Sequence, residues 1–128
     1  MKVLFDTHAL FWTLRGSWRL SDRALNIIND PDSELLVSAV SGYEICFKHR
    51  LGKLPEAAAL AANFEGEIAS LDLTWLPIAP AHAIVAGGLD PFHRDPFDRL
   101  LAAQARVERV AIVSADDVFD RFDVERLW

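Results

Sequence analysis

Cysteine is all but missing from this chain of 128 residues: Cys46 stands alone, so no disulfide can close within it, and the expected setting is reducing and cytoplasmic. Long apolar runs are missing too. Although 52% of residues are hydrophobic, no stretch approaches the roughly 18–20 consecutive apolar residues of a membrane span. The opening MKVLFDTHALFW carries Asp6 where a secretory leader would be apolar, so no signal peptide is expected. Positive charge is scarce: 13 Lys and Arg stand against 19 Asp and Glu, for a net charge of −6. That balance argues against a protein that holds nucleic acid by bulk electrostatics. It leaves a nuclease open, because carboxylates that bind divalent cations make a chain look acidic. No Pro-, Gly- or Ser-rich tract and no internal repeat occurs, so neither linker nor disorder is expected, and the length suits one domain over residues 1–128. Without Gly-x-Gly or Gly-Lys-Ser/Thr there is no backbone cradle for phosphates. Lysines stand only at 2, 48 and 53, none in the C-terminal half where a receiver-type phosphoacceptor needs one. His8, not a second Asp, follows two residues after Asp6, which disfavours a phosphatase with an aspartyl nucleophile.

What is present is an alternation of strand and helix signals. KVLF at 2–5 and ELLVS at 34–38 read as buried strands, VAIVS at 110–114 as a third such run, and 73–78 as a Pro-interrupted edge strand. Helices are predicted over 7–15 (Leu10, Phe11 and Leu14 on one face), from the Ser21 cap to about 29 (Leu25 and Ile28 inward), and over 39–51 with Gly52 as the stop. In the last of these Val40, Tyr43, Phe47 and Leu51 recur at helical spacing. An Ala-rich helix is expected over 56–71, another from Pro80 to about 87, one from the Asp95-Pro96 cap to about 108, a short one at 116–121, and a last strand at 123–127. Apolar strands without alternation, each followed by a helix, predict a mainly parallel sheet covered on both faces: an α/β fold, a three-layer α/β/α sandwich.

In such sheets function gathers at the carboxyl ends of the strands. Asp6 ends the first strand, Asp116 follows the strand at 110–114, Glu44 lies early in the helix after the second strand, and Asp98 lies in the first turn of the helix from Pro96. Four carboxylates are thereby expected at one edge of one sheet. Each alone also fits a cap or a helix-dipole role; together they would repel one another and hold some members protonated. Divalent cations relieve that repulsion, and Mg²⁺ and Mn²⁺ prefer hard oxygen ligands.

The segments FDTHALFW, VSAVSGYEICFKHRLGKL, HRDPFDRLLAAQA and VSADDVF, in this order and over nearly the whole chain, resemble the PIN domain family, specifically its VapC-type toxins. The resemblance implies a PIN fold, dependence on Mg²⁺ or Mn²⁺, endoribonuclease activity on RNA, a homodimer, and neutralisation by a cognate VapB-type antitoxin. It implies that Asp6, Glu44 (of Ser41-Gly42-Tyr43-Glu44), Asp98 and Asp116 are the catalytic and metal-holding acids. Asp95 competes with Asp98, which is favoured because capping already explains Asp95; Asp117 competes with its neighbour Asp116.

Thr7 and Ser114 flank the acids, and their hydroxyls either orient a carboxylate or bond the local backbone. His8 and His93 fall near the same edge as phosphate contacts or structural groups, since an oxygen-rich site does not call for imidazole. Lys48, Arg50 and Lys53, with His49 among them, form the densest basic cluster, and Arg94 and Arg99 bracket the third acidic segment; all are candidate RNA-phosphate contacts or else a solvated face. Trp12 is expected at a partner surface. The rival functions are a PIN-like module that binds RNA or protein without cleaving, and a DNA nuclease of the same fold.

Overall fold

A computed structural model describes residues 1–128. Five strands form one sheet in the order β3-β2-β1-β4-β5: β1 (Lys2–Phe5), β2 (Glu34–Ser38), β3 (Thr74–Leu76), β4 (Ala111–Val113) and β5 (Arg126–Leu127). All four pairings are parallel, with Val3 opposite Leu35 on one side and Ala111 on the other. β1 is thus the central strand, and β3 is at an edge as its Pro-bounded sequence predicts.

Because successive side chains point to opposite faces, the apolar runs feed two cores. Val3, Phe5, Leu35, Val37, Ala111 and Val113 pack on one face with α1 (Thr7–Arg15), α2 (Asp22–Asn29), α4 (Ala58–Ala62) and α5 (Phe64–Ser70). Leu4, Leu36 and Ile112 pack on the other with α6 (Pro80–Gly88), α7 (Pro96–Glu108) and the 3-10 segment Asp117–Phe122. α3 (Ala39–Arg50) gives Ile45 to the first core and Val40 to the second. No helix is long and apolar enough to cross a membrane.

Several expectations need correction. The helix expected over 56–71 is three pieces: a 3-10 turn at Pro55–Ala57, then α4 and α5, parted at Asn63, whose φ of −148° and ψ of 54° leave the helical region. The Asn63 side chain folds over Gly66, filling the space a Cβ there would need. The strand expected at 123–127 pairs only at Arg126–Leu127, because Asp123 is left-handed at φ 58° and turns the chain before it. The helix at 116–121 is 3-10, not α. On α2 it is Ala24 that is buried, and Leu25 is exposed. On α3 only Val40 of the expected apolar row is buried; Tyr43, Phe47 and Leu51 face outward, and Ser41, Glu44 and Ile45 take the inner face.

Fully buried Gln104 ties α7 to the sheet: its carbonyl accepts from the Ser38 hydroxyl at the end of β2, and its amide donates to the Pro77 carbonyl just beyond β3 at 3.2 Å. Gln104→Leu fills the same space but strands both partners, so urea unfolding should show a loss of about 1–3 kcal/mol. A change below about 0.5 kcal/mol, the level of ordinary surface substitutions, would mean that the bridge adds nothing.

Candidate active site

The site grows from the register of the central strands. Phe5 pairs with Val113, so the next residues, Asp6 and Ser114, emerge side by side at the carboxyl ends of β1 and β4. Asp6 is the N-cap of α1. One carboxylate oxygen accepts from the Ala9 N–H at 2.7 Å, and the other accepts from the Ser114 hydroxyl. The Ser114 hydroxyl oxygen in turn accepts from the Asp116 N–H at 3.0 Å, and Asp116 caps the 3-10 segment through the Val118 N–H at 3.0 Å. The Ser114 hydroxyl therefore does both things expected of it: it donates to the Asp6 carboxylate and accepts from the local backbone at Asp116.

Glu44 arrives from α3. It is 6% exposed. One oxygen accepts from the Thr7 hydroxyl at 2.9 Å, and the other pairs with the Lys48 ammonium one turn further along the helix. Since the Thr7 proton goes to Glu44, the Ser41 hydroxyl, 3.0 Å from Thr7, is the donor to it. Ser41 is a site residue that hydrophobic patterning misses; its signal is the i, i+3 spacing from Glu44, which puts both on one helix face.

Asp98 occupies the first turn of α7. Asp95 caps that helix, accepting from the Phe97 and Asp98 N–H groups at 2.8 and 3.4 Å. The Asp98 carboxylate accepts from His93 Nε2 at 2.8 Å, and His93, Asp95 and Asp98 each bring a potential ligand atom within 4.8 Å of the others. Asp95 thus has both a capping role and a place beside Asp98. His93, set aside at first as a ligand, is a direct partner of a site carboxylate.

The carboxylates feel one another. Asp6 is 4% exposed, and burial raises its pKa from 3.8 to about 6, against the Ser114 and Ala9 hydrogen bonds and the His8 charge, which lower it; the Asp98 charge raises it further. The pKa of Asp98 is likewise raised, first by burial, then by Asp95 and Asp116, against the His93 contact. Charge thus links Asp6 to Asp98 and Asp98 to Asp116, while Glu44 meets this neighbourhood through the hydroxyl of Thr7, the residue after Asp6. Asp117, the first residue of the 3-10 segment, is exposed beside Asp116 and its charge reaches Arg126. Carboxylates held ionised against burial and like charge are oxygen donors that suit a hard divalent cation.

The basic candidates divide. Lys48 is in the site, on Glu44. Arg50, Lys53 and Arg94 are exposed. Arg99 spends both terminal nitrogens on four backbone carbonyls, of Ala86, Leu89, Asp90 and His93, at 2.7–3.0 Å. Its guanidinium braces the loop that presents His93 to Asp98 and is not free for phosphate.

The family model for the PIN domain matches residues 3–125 of this chain. No curated protein sequence matches it. Among solved structures, a chain of VapBC2 from Rickettsia felis, bound to a DNA fragment from its promoter, aligns over all of both chains at a TM-score of 0.74 and 14% identity. A chain of DNA-bound VapBC from Salmonella typhimurium aligns over 98% of this chain and 96% of its own at 0.71 and 17%. One from FitAcB of Neisseria gonorrhoeae aligns over 97% and 95% at 0.63 and 17%. At these identities the likeness is one of fold.

An aspartate whose pKa is higher in the fold than in the unfolded chain binds its proton more readily in the fold. Ionisation of Asp6 therefore costs stability at neutral pH, on the order of 3 kcal/mol for a shift from 3.8 to about 6. The cost fades as pH falls through 6 and is gone below 3.8. In EDTA at pH 8, Asp6→Asn should be more stable than the parent by about 1–3 kcal/mol, and the gap should close toward pH 4. Denaturant titrations across that range test it; a gap independent of pH would show that Asp6 is not strained by its charge.

Proposed function

The chain belongs to the PIN domain family, and from that premise we propose that it is a metal-dependent endoribonuclease of the VapC toxin type, neutralised by a VapB-type antitoxin. The observation that carries this reading is that Asp6, Asp98 and Asp116 come from three separate elements yet feel one another's charge: on top of the larger effect of burial, the Asp98 charge raises the pKa of Asp6 and the Asp116 charge raises that of Asp98. Fully ionised carboxylates in that arrangement need a cation. Asp6, Glu44, Asp98 and Asp116 are the oxygen donors that would hold Mg²⁺ or Mn²⁺, with Asp95 and Asp117 beside them. What such an ion supplies when bound is acidification of water and neutralisation of charge at a phosphodiester.

The chain's own groups do the rest. Ser114 and Thr7 hold the Asp6 and Glu44 carboxylates in fixed rotamers, so that site geometry exists before substrate arrives. His93 does the same for Asp98. Lys48, half-exposed beside Glu44, is a point charge for a phosphate, and Arg50, Lys53 and Arg94 are further exposed cations for the same strand. A homodimer would put two such edges in one particle. The relatives in complex with antitoxin and DNA support assembly with a basic partner that neutralises the acidic edge, as does the net charge of −6.

Purified protein should cleave single-stranded RNA with Mg²⁺ or Mn²⁺ and not with EDTA, and Asp6→Asn should fall by more than about 100-fold, beyond the loss typical of outer-shell partners. Thr7→Val and Ser114→Ala, which remove those partners, should lose about 10–100-fold with the fold intact. Metal-dependent cleavage that Asp6→Asn retains would overturn the site; cleavage of DNA alone, or binding without any cleavage, would overturn the reaction. Co-expression with the neighbouring small open reading frame should yield a stable complex without cleavage activity, read by co-purification and by RNA assay of the complex. A small protein that stays separate would remove the toxin role.

A further inference from the structure

The second place where chemistry gathers is a cleft of about 720 Å³ beside α1. Local geometry builds it. Gly16, left-handed at φ 62°, ends α1 with paired bonds from the Gly16 N–H to the Thr13 carbonyl and from the Ser17 N–H to the Trp12 carbonyl. That turn folds the chain back so that Arg19 lies by both Trp12 and Trp18. The Arg19 guanidinium is 5.7 Å from the Trp18 ring and 5.9 Å from the Trp12 ring, and Trp12 stacks on His8, one turn nearer Asp6, at 5.8 Å.

The cleft is electrically unlike the rest of the chain. His8, Arg15 and Arg19 line it against the single carboxylate of Glu56, on a protein of net charge −6. Arg15 is spoken for in part, since one of its nitrogens donates to the Glu56 backbone carbonyl at 2.9 Å. Trp18 is 87% exposed and covers no core, so folding does not account for it. An exposed indole with an arginine beside it is a surface for another flat ring to stack on. Six residues of helix separate Asp6 from Trp12, about 9 Å at 1.5 Å per residue, which places the cleft within reach of a nucleotide neighbouring a bond cut at the acid cluster.

We propose that this cleft is a base-stacking subsite for single-stranded RNA, with Trp18 as the platform and Arg19 as the cation that anchors the adjoining phosphate. The proposal rests on the nuclease reading above for the identity of the polymer, and it adds a specificity-determining surface that the acids do not supply. Stacking is sequence-tolerant, because every base has a π-face, and it needs the base unpaired. The subsite therefore selects single strands over duplex.

The test is an anisotropy titration of Asp6→Asn, which removes turnover, with a labelled decaribonucleotide and with the same length of abasic backbone. Trp18→Ala and Trp18→Phe are added on that background. Trp18→Ala should weaken the base-bearing RNA by about 5- to 150-fold, the range that stacking of one base converts to, and should leave the abasic strand unchanged; Trp18→Phe should restore most of the affinity. A Tm equal to the parent's checks that the exposed position is not structural. Equal loss for both strands, loss for neither, or no binding of either strand overturns the proposal. So does Trp18→Ala that keeps its RNA affinity and instead releases a co-purified protein, which would make the cleft a protein-docking surface. Absence of cleavage by the parent protein with Mg²⁺ and Mn²⁺, alongside base-dependent binding, would sink the nuclease reading and sustain the subsite.

Discussion

The Asp6 carboxylate serves the fold and the site with the same two oxygens. One caps α1 through the Ala9 N–H, and the other accepts the Ser114 hydroxyl across the join between β1 and β4. The cap makes α1 start at the sheet edge, and α1 brings Thr7 to Glu44. The Ser114 bond fixes the turn after β4 and, through it, Asp116. A helix cap normally wants an ionised acid in water, where its charge favours the helix N-terminus. Here burial and the Asp98 charge oppose ionisation strongly enough that the two hydrogen bonds do not bring the pKa back to its ordinary range. The position is kept as an acid although, for stability alone, an amide would cap as well without the charge. Strain of this kind, confined to one cluster in an otherwise satisfied fold, is how functional sites commonly stand out.

That contrast explains which parts of the molecule could be read from its sequence. β1, β2 and α1 have the extents expected of them because their signals agree: an apolar run closed by Asp6, and another closed by Ser38. The gathering of the acids was legible for the same reason, since parallel strands bring their carboxyl ends to one edge whatever the helices do. α3 was misread on its faces. Hydrophobic spacing favoured Tyr43, Phe47 and Leu51 as the inner row, yet the helix starts at the sheet edge and turns Ser41 and Glu44 inward to meet Thr7. Periodicity reports where apolar surface wants to go, and it fails where a polar site competes for the same face. The displaced aromatics stack on one another instead, Tyr43 on Phe47 at 5.6 Å and on Phe97 at 5.7 Å.

Arginine was the other blind spot. From sequence Arg99 and Arg94 look alike, two cations bracketing an acidic loop. In the fold Arg94 is exposed, and Arg99 is a bracket for four carbonyls, one at the end of α6 and three in the turns that follow it. Buried carbonyls must be paired, and the loop between α6 and α7 has no ladder to pair them. One planar guanidinium with its fork of donors meets the need, and as a result His93 is presented to Asp98 from a braced loop and not a loose one. The sequence holds no local signal for this, because the partners are backbone atoms whose positions depend on the whole turn.

Charge is therefore sorted by depth and not simply scattered. The buried acids Asp6 and Glu44 are tied by hydroxyls, while the neighbouring cations are either committed, as Arg99 is to carbonyls and Arg126 is to Asp120, or placed at the rim, as Lys48 is. Exposed positive charge also lies beside α1, among aromatic rings. A chain of net charge −6 gains little from long-range attraction to a polyanion. Any attraction it has must be local, and beside Arg19 local charge and aromatic rings coincide. On an acidic protein the division follows from electrostatics: carboxylates drawn together at the sheet edge leave cations and rings to a separate surface, one helix away along α1.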